Sequence, residues 1–247
     1  MYSNLYSTPR QYNFILRQLS LFRQSWSVAA AAIFGLLFII SVFIGYFKST
    51  GLYQLPAGLY YGFLTLIGLI FTSQIFQELH TPNRSYAFLT LPVSTLEKLI
   101  ASWLLSSPIF ILAYTAATFL IYLISTLVAG MPEMALEYFT DEYWSTIANY
   151  MVIQTIFLWG ACYFRKNNFL KTVLVLVVLP MVIGLYALLL ILLFFGGASN
   201  ININPDTVTI NDTVLPNLGL FMKILWYAVL GPYMLLTTYF TLKERQL

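Results

Sequence analysis

Apolar positions run along this chain in long blocks instead of alternating with polar ones. Six stretches are long enough to cross a hydrocarbon core about 30 Å thick: Val28 to Phe47, Ala57 to Phe76, Ile100 to Val128, Trp144 to Phe164, Val173 to Phe195 and Leu220 to Leu242. Pro108, Pro180 and Pro232 fall inside these stretches, where each frees a backbone carbonyl and can kink the helix. The pattern predicts an all-α integral membrane protein of six transmembrane helices. One membrane domain, residues 28–247, accounts for the length after an N-terminal segment, residues 1–27.

That N-terminal segment has a different period. Tyr12, Ile15, Leu16, Leu19, Phe22 and Trp26 recur at helical spacing, with Arg10, Arg17, Gln18 and Gln24 mostly off the stripe. This predicts an amphipathic helix in the membrane interface, its basic residues Arg10, Arg17 and Arg23 near lipid phosphates and Phe22 in the acyl region. Such a helix serves either as an anchor or as an elbow that also meets a partner. The first apolar block starts too late for a secretory signal peptide and reads as a retained span.

Composition agrees with this picture. Apolar side chains make up 60% of the chain and charged ones 9%, against about 25% charged in a soluble domain. The net charge of +3 is spread along the chain, which gives no sign of a nucleic-acid partner. It fits topology better. With the N-terminus inside, Arg10, Arg17, Arg23, Arg84, Lys98, Arg165, Lys166, Lys171, Lys243 and Arg245 are cytoplasmic and only Lys48 and Lys223 lie outside, the bias that orients membrane proteins. An even number of spans then leaves both termini cytoplasmic.

Two outer connections follow. Met131 to Tyr143 is acidic and aromatic, as a short surface helix would be, and Asn200 to Pro216 alternates apolar and turn residues as a small hairpin would.

Several chemistries lack their residues. Cys162 is the only cysteine, so an intrachain disulfide or a multi-cysteine metal site is excluded. No glycine-rich phosphate loop ending in Lys-Ser/Thr occurs, and the spans carry no Asp, Glu or His at mid-depth for a proton relay. His80, the one histidine, sits in a polar loop beside Glu78, without the further ligands a metal would need. Gln74, Asn149 and Gln154 either line a path or bond between helices. The chain is expected to carry no catalytic site, cofactor or metal of its own.

The segment from Gln77 to Leu99 is the most elaborate connection. Thr81 followed by Pro82 is a helix start; Leu91 and Pro92 end that helix, and Ser94 with Glu97 forms a capping box for the third span. The predicted product is a short helix between two spans, with Tyr86, Phe88 and Leu89 projecting toward a partner surface. Alternatively these aromatics dip into the interface as anchors.

The run Phe76-Gln77-Glu78, followed by Phe88-Leu89-Thr90-Leu91-Pro92-Val93-Ser94 and Glu97-Lys98, resembles the first cytoplasmic loop of type-2 permeases of ATP-binding cassette (ABC) exporters. That resemblance implies a coupling helix docking on a separate cytoplasmic ATPase, with Glu78, His80, Arg84, Tyr86, Phe88, Leu91 and Pro92 at the interface. It also implies a homodimer or a pair with a related permease, ATP and Mg in the partner, and a bacterial-type inner membrane among lipids. A second reading, a non-transporting subunit of a larger membrane assembly, suits composition and topology equally.

Overall fold

A computed structural model describes residues 6–46, 55–194 and 214–245. Among them there is no strand, and five helices are long and apolar enough to cross a membrane. The chain has the makeup of a multi-pass helical membrane protein. Helix α1 is Thr8–Tyr46, α2 Leu55–Gln74, α3 the short Pro82–Leu89, α4 Thr95–Ala129, α5 Asp141–Tyr163 and α6 Asn168–Phe194; α7 covers residues 214–244. The expected hairpin falls largely on residues 201–213, outside the described residues, and α7 already begins at Val214.

The segment expected to lie in the interface is no separate helix. No break divides it from the first span, because the Ala29–Ala32 run that follows Trp26 is strongly helix-forming and the next glycine is Gly35. At 39 residues α1 is about 58 Å long, far more than one bilayer core requires. Its buried face near the N-terminus is Gln11, Phe14 and Gln18, whereas Tyr12, Leu16 and Leu19 are exposed. Part of the stripe read from the sequence is therefore turned away from the protein body, while Ile15 and Trp26 pack against it.

Proline leaves its mark on two spans. In α4 the residues Leu105–Ile109, including Pro108, form a widened π-type turn; in α7 the same happens at Leu225–Leu230, just before Gly231 and Pro232. A proline ring cannot tolerate the carbonyl four residues back, and one extra residue in the turn relieves that clash.

Helix α5 sits at the centre, packed on α2, α6 and α7. It carries Asn149, Gln154 and Thr155 within its length, and Gln154 and Thr155 are covered by its neighbours instead of facing lipid. The opposite holds for α6, whose apolar stretch Asn168–Leu190 has mean hydropathy 2.9 and no buried residue in its apolar window. Glycines bring these helices close: a Cβ on Gly68 of α2 would lie 2.5 Å from the Tyr150 ring, and one on Gly160 of α5 would collide with Thr172 of α6.

Three buried clusters stack along the bundle. The first gathers Phe14, Phe76, Phe88, Leu99, Leu158 and Leu242 at the end that holds α3. The second centres on Leu64, Tyr114 and Tyr150. The third is a tyrosine cluster at the far end, where the α4–α5 connection turns at Gly130 (φ 73°) into a 3-10 helix, Pro132–Tyr138. The connection is a short surface helix as expected, with Glu133, Leu136 and Glu137 exposed, but it is of 3-10 type and anchored inward by Ala135 and Tyr138. Tyr138 is fully buried, its hydroxyl meets Thr118 at 2.7 Å, and its carbonyl accepts from the Tyr61 hydroxyl at 2.6 Å.

Candidate functional site

The connection between α2 and α4 is built by local rules. After α2 the chain makes one 3-10 turn, Gln77–His80, then enters α3 with proline in its first turn. Thr81 does not cap α3 with its side chain; its hydroxyl donates back to the Gln77 carbonyl at 3.3 Å. At the start of α4 the capping box is complete. Ser94 Oγ accepts from the Glu97 N–H at 3.2 Å, and Glu97 Oε2 accepts from the Ser94 N–H at 2.8 Å.

Two ion pairs tie this connection to α1. Arg17 grips Glu78 through both guanidinium nitrogens, at 2.9 and 3.0 Å, and Arg10 reaches Glu97 at 3.2 Å. Glu97 also accepts from the Ser7 N–H. Arg10 and Arg17 thus meet protein carboxylates instead of the lipid phosphates expected for them. Arg23 remains exposed, and the Phe22 side chain lies outside the described residues. The bidentate pair leads to a test: Arg17→Gln and Glu78→Gln should each lower stability by about 1–3 kcal/mol, and the double variant by much less than their sum. Thermal unfolding of the three variants measures this, and strict additivity would show that the pair does not couple α1 to the loop.

Phe88 is not displayed at the surface. It is fully buried, its ring edge-on to Phe14 at 6.0 Å and Phe76 at 6.4 Å. Helical period turns Tyr86, two residues before Phe88, to the opposite side of α3, with 77% of its surface exposed, and Arg84, a full turn before Phe88, is exposed as well. Leu89 and Leu91 are half-buried and pack against the same cluster, and Pro92 is exposed. Of the seven residues the resemblance assigns to a partner interface, only Arg84, Tyr86 and Pro92 face outward. Glu78 and Phe88 hold the frame.

Lys98 was not singled out from the sequence as a site residue, yet it is fully buried. Its Nζ donates to the Phe88 carbonyl at 3.0 Å and lies 4.9 Å from the Phe88 ring centroid. That carbonyl belongs to the last turn of α3, where carbonyls lack helical partners and favour a cation. The adjacent charges Glu97 and Lys98 at the mouth of an apolar span were the available signal.

His80 belongs to a second junction, with α5 and α7. Its Nε2–H donates to the Ala161 carbonyl at 2.7 Å, so Nδ1 is left to accept from Arg245, 3.4 Å away. Arg245 also donates to the Tyr163 carbonyl at 2.9 Å. Sequence spacing could not have placed Arg245 here, 165 positions from His80. Burial lowers the His80 pKa below the usual 6.5, outweighing the Ala161 bond that raises it, and Arg245 and Arg165 lower it further. The unfolded chain therefore binds this proton more readily than the folded one. The contribution to stability is whole above pH 6.5 and is lost as pH falls through the lower folded value. Acid thermal melts should show this fall in the parent and less of it in His80→Gln; an unchanged acid limb in the variant would rule the junction out as its source.

The polar residues within the spans also find their places. Asn149 Oδ1 accepts from Trp226 Nε1 at 3.2 Å and the Tyr227 hydroxyl at 3.0 Å, joining α5 to the widened turn of α7. Gln154 is fully buried with no hydrogen-bond partner for either amide atom among the described residues. No three of His, Cys, Asp and Glu come together among those residues. Comparison of the chain with known protein families, curated proteins and solved structures finds no match.

Proposed function

We propose that this chain is the permease subunit of an ABC exporter, driven by a separate cytoplasmic ATPase. One observation carries the reading: a short outward-facing helix is bonded to the ends of three long helices. Helix α3 is joined to α4 through Lys98, and its neighbouring turn and cap are joined to α1 through Arg17–Glu78 and Arg10–Glu97. A push delivered to Arg84 and Tyr86 would be passed to α1, α2 and α4 together.

In this reading the end holding α3, both termini and the α5–α6 turn is cytoplasmic, consistent with the ten basic residues assigned to that side. Six spans follow if α5 crosses as well. Its 23 residues suffice for a bilayer, and its polar groups lie against other helices. ATP and Mg belong to the partner; this chain contributes a shape change. The exposed faces of α6 and α7 leave room for a second permease copy beside lipid.

The experiment is purification in mild detergent followed by an ATPase assay. An ATP-hydrolysing chain should copurify and be lost in the double variant Arg84→Glu, Tyr86→Ala, which alters exposed residues only. A pure, folded permease without ATPase activity, or a partner that cannot hydrolyse ATP, would favour the scaffold reading.

A further inference from the structure

Four consecutive alanines, Ala29–Ala32, give α1 a narrow waist between Trp26 and Phe34. Where the waist faces α2 and α4 the helices do not close. Small Ser27, Ala30 and Ala113 leave a groove of about 580 Å³, walled by Trp26, Phe34, Phe71 and Phe110. The walls hold one another: Trp26 meets Phe71 edge-on at 4.8 Å, and Phe71 stacks on Phe110 at 5.7 Å. A second groove of about 480 Å³ shares Trp26, Ile33 and Ile67, and lies across the α1–α2 seam, reaching Gln74.

The first groove has a charged mouth. Arg23 lines it, exposed, three residues before the apolar window of α1 begins at Trp26. Among the described residues no carboxylate pairs with Arg23, unlike Arg10 and Arg17. From Arg23 to Phe34 is eleven residues, about 16 Å along a helix. Half of a hydrocarbon core is about 15 Å. The groove thus runs from headgroup depth to the bilayer centre on one side only, with a cation at the polar end and aromatic and aliphatic walls below. A soluble metabolite is oriented by a few placed polar groups, and here Ser20, Arg23 and Ser27 gather at one end while the remaining lining is almost entirely aliphatic and aromatic. A lipid tail needs no polar group.

We propose that these two grooves bind one phospholipid of net negative charge, from the leaflet on the N-terminal side. Its phosphate rests on Arg23 and its two chains straddle the α1–α2 seam. A guanidinium favours phosphate oxygens, and an uncompensated cation favours a headgroup that brings no cation of its own. The site is independent of whether the chain serves an exporter.

Trp26 supplies the readout. The purified protein is placed in bilayers of unlabelled phosphatidylcholine containing a small, fixed fraction of either brominated phosphatidylglycerol or brominated phosphatidylcholine. The Trp26 signal is obtained by difference from Trp26→Phe. Bromine on the chains of a bound lipid quenches it on contact. The expected result is several-fold stronger quenching by the anionic lipid, with apparent affinity about tenfold weaker in Arg23→Gln. Ala30→Leu, which fills the first groove, should reduce the quenching as well; should that variant fold poorly, Arg23→Gln alone decides. Equal quenching by the two lipids in proportion to their amounts overturns the proposal, because it describes ordinary annular lipid. An anionic preference that survives Arg23→Gln overturns it too.

Discussion

Phe88→Ala is expected to destabilise the protein by about 3–5 kcal/mol, the usual cost of emptying a fully buried aromatic site. The ring touches three elements at once: Phe14 on α1, Phe76 after α2 and the Lys98 ammonium on α4. Truncation leaves a cavity at that meeting point and removes the ring from beneath the ammonium. Lys98 keeps its bond to the residue 88 carbonyl only if α3 stays in place. The variant should therefore melt earlier and become sensitive to protease within residues 77–99 before the spans unfold. Phe88→Leu, which keeps most of the volume, should cost far less. A Phe88→Ala protein within about 1 kcal/mol of the parent would mean that the α3 junction is not a packed core.

The second large effect is expected at Glu97. This carboxylate is fully buried and accepts from the N–H groups of Ser94 and Ser7 as well as from Arg10. Glu97→Ala opens the capping box, orphans two backbone donors and removes the partner of a cation. The Arg10 side chain is 39% exposed, so water recovers much of the ionic part. The backbone donors and the cap carry the rest, and the sum is about 2–4 kcal/mol. Glu97→Gln retains an acceptor oxygen and the shape of the box, and should lose less than half as much. Equal losses in thermal unfolding of the two variants would assign the effect to the charge, against this account.

The long helices were legible because apolar length and breakers act locally. The block that begins at Val28 falls in α1, and the other five blocks fall in the helices α2, α4, α5, α6 and α7, all but α5 long and apolar enough to cross a membrane. The capping residues Ser94 and Glu97 were also readable, since the motif spans only four positions. What escaped depended on partners distant in sequence. The exposed reading of Phe88 failed because residue type does not say which face of an eight-residue helix meets the bundle. The lipid-phosphate reading of Arg10 and Arg17 failed because their carboxylates lie 87 and 61 positions away. The continuity of α1 was hidden for another reason: an amphipathic period followed by an apolar one looks like two helices, although nothing between Trp26 and Ile33 breaks the backbone.

What the outward face of α3 touches separates an exporter from a scaffold. A photo-crosslinking amino acid at position 86, with a control at position 112, where Leu112 is comparably exposed within a membrane span, reads this directly in intact membranes. The exporter account predicts a position-86 adduct to a chain that hydrolyses ATP, absent from position 112. Adducts from position 86 confined to lipid, or to a protein without ATPase activity, would contradict it.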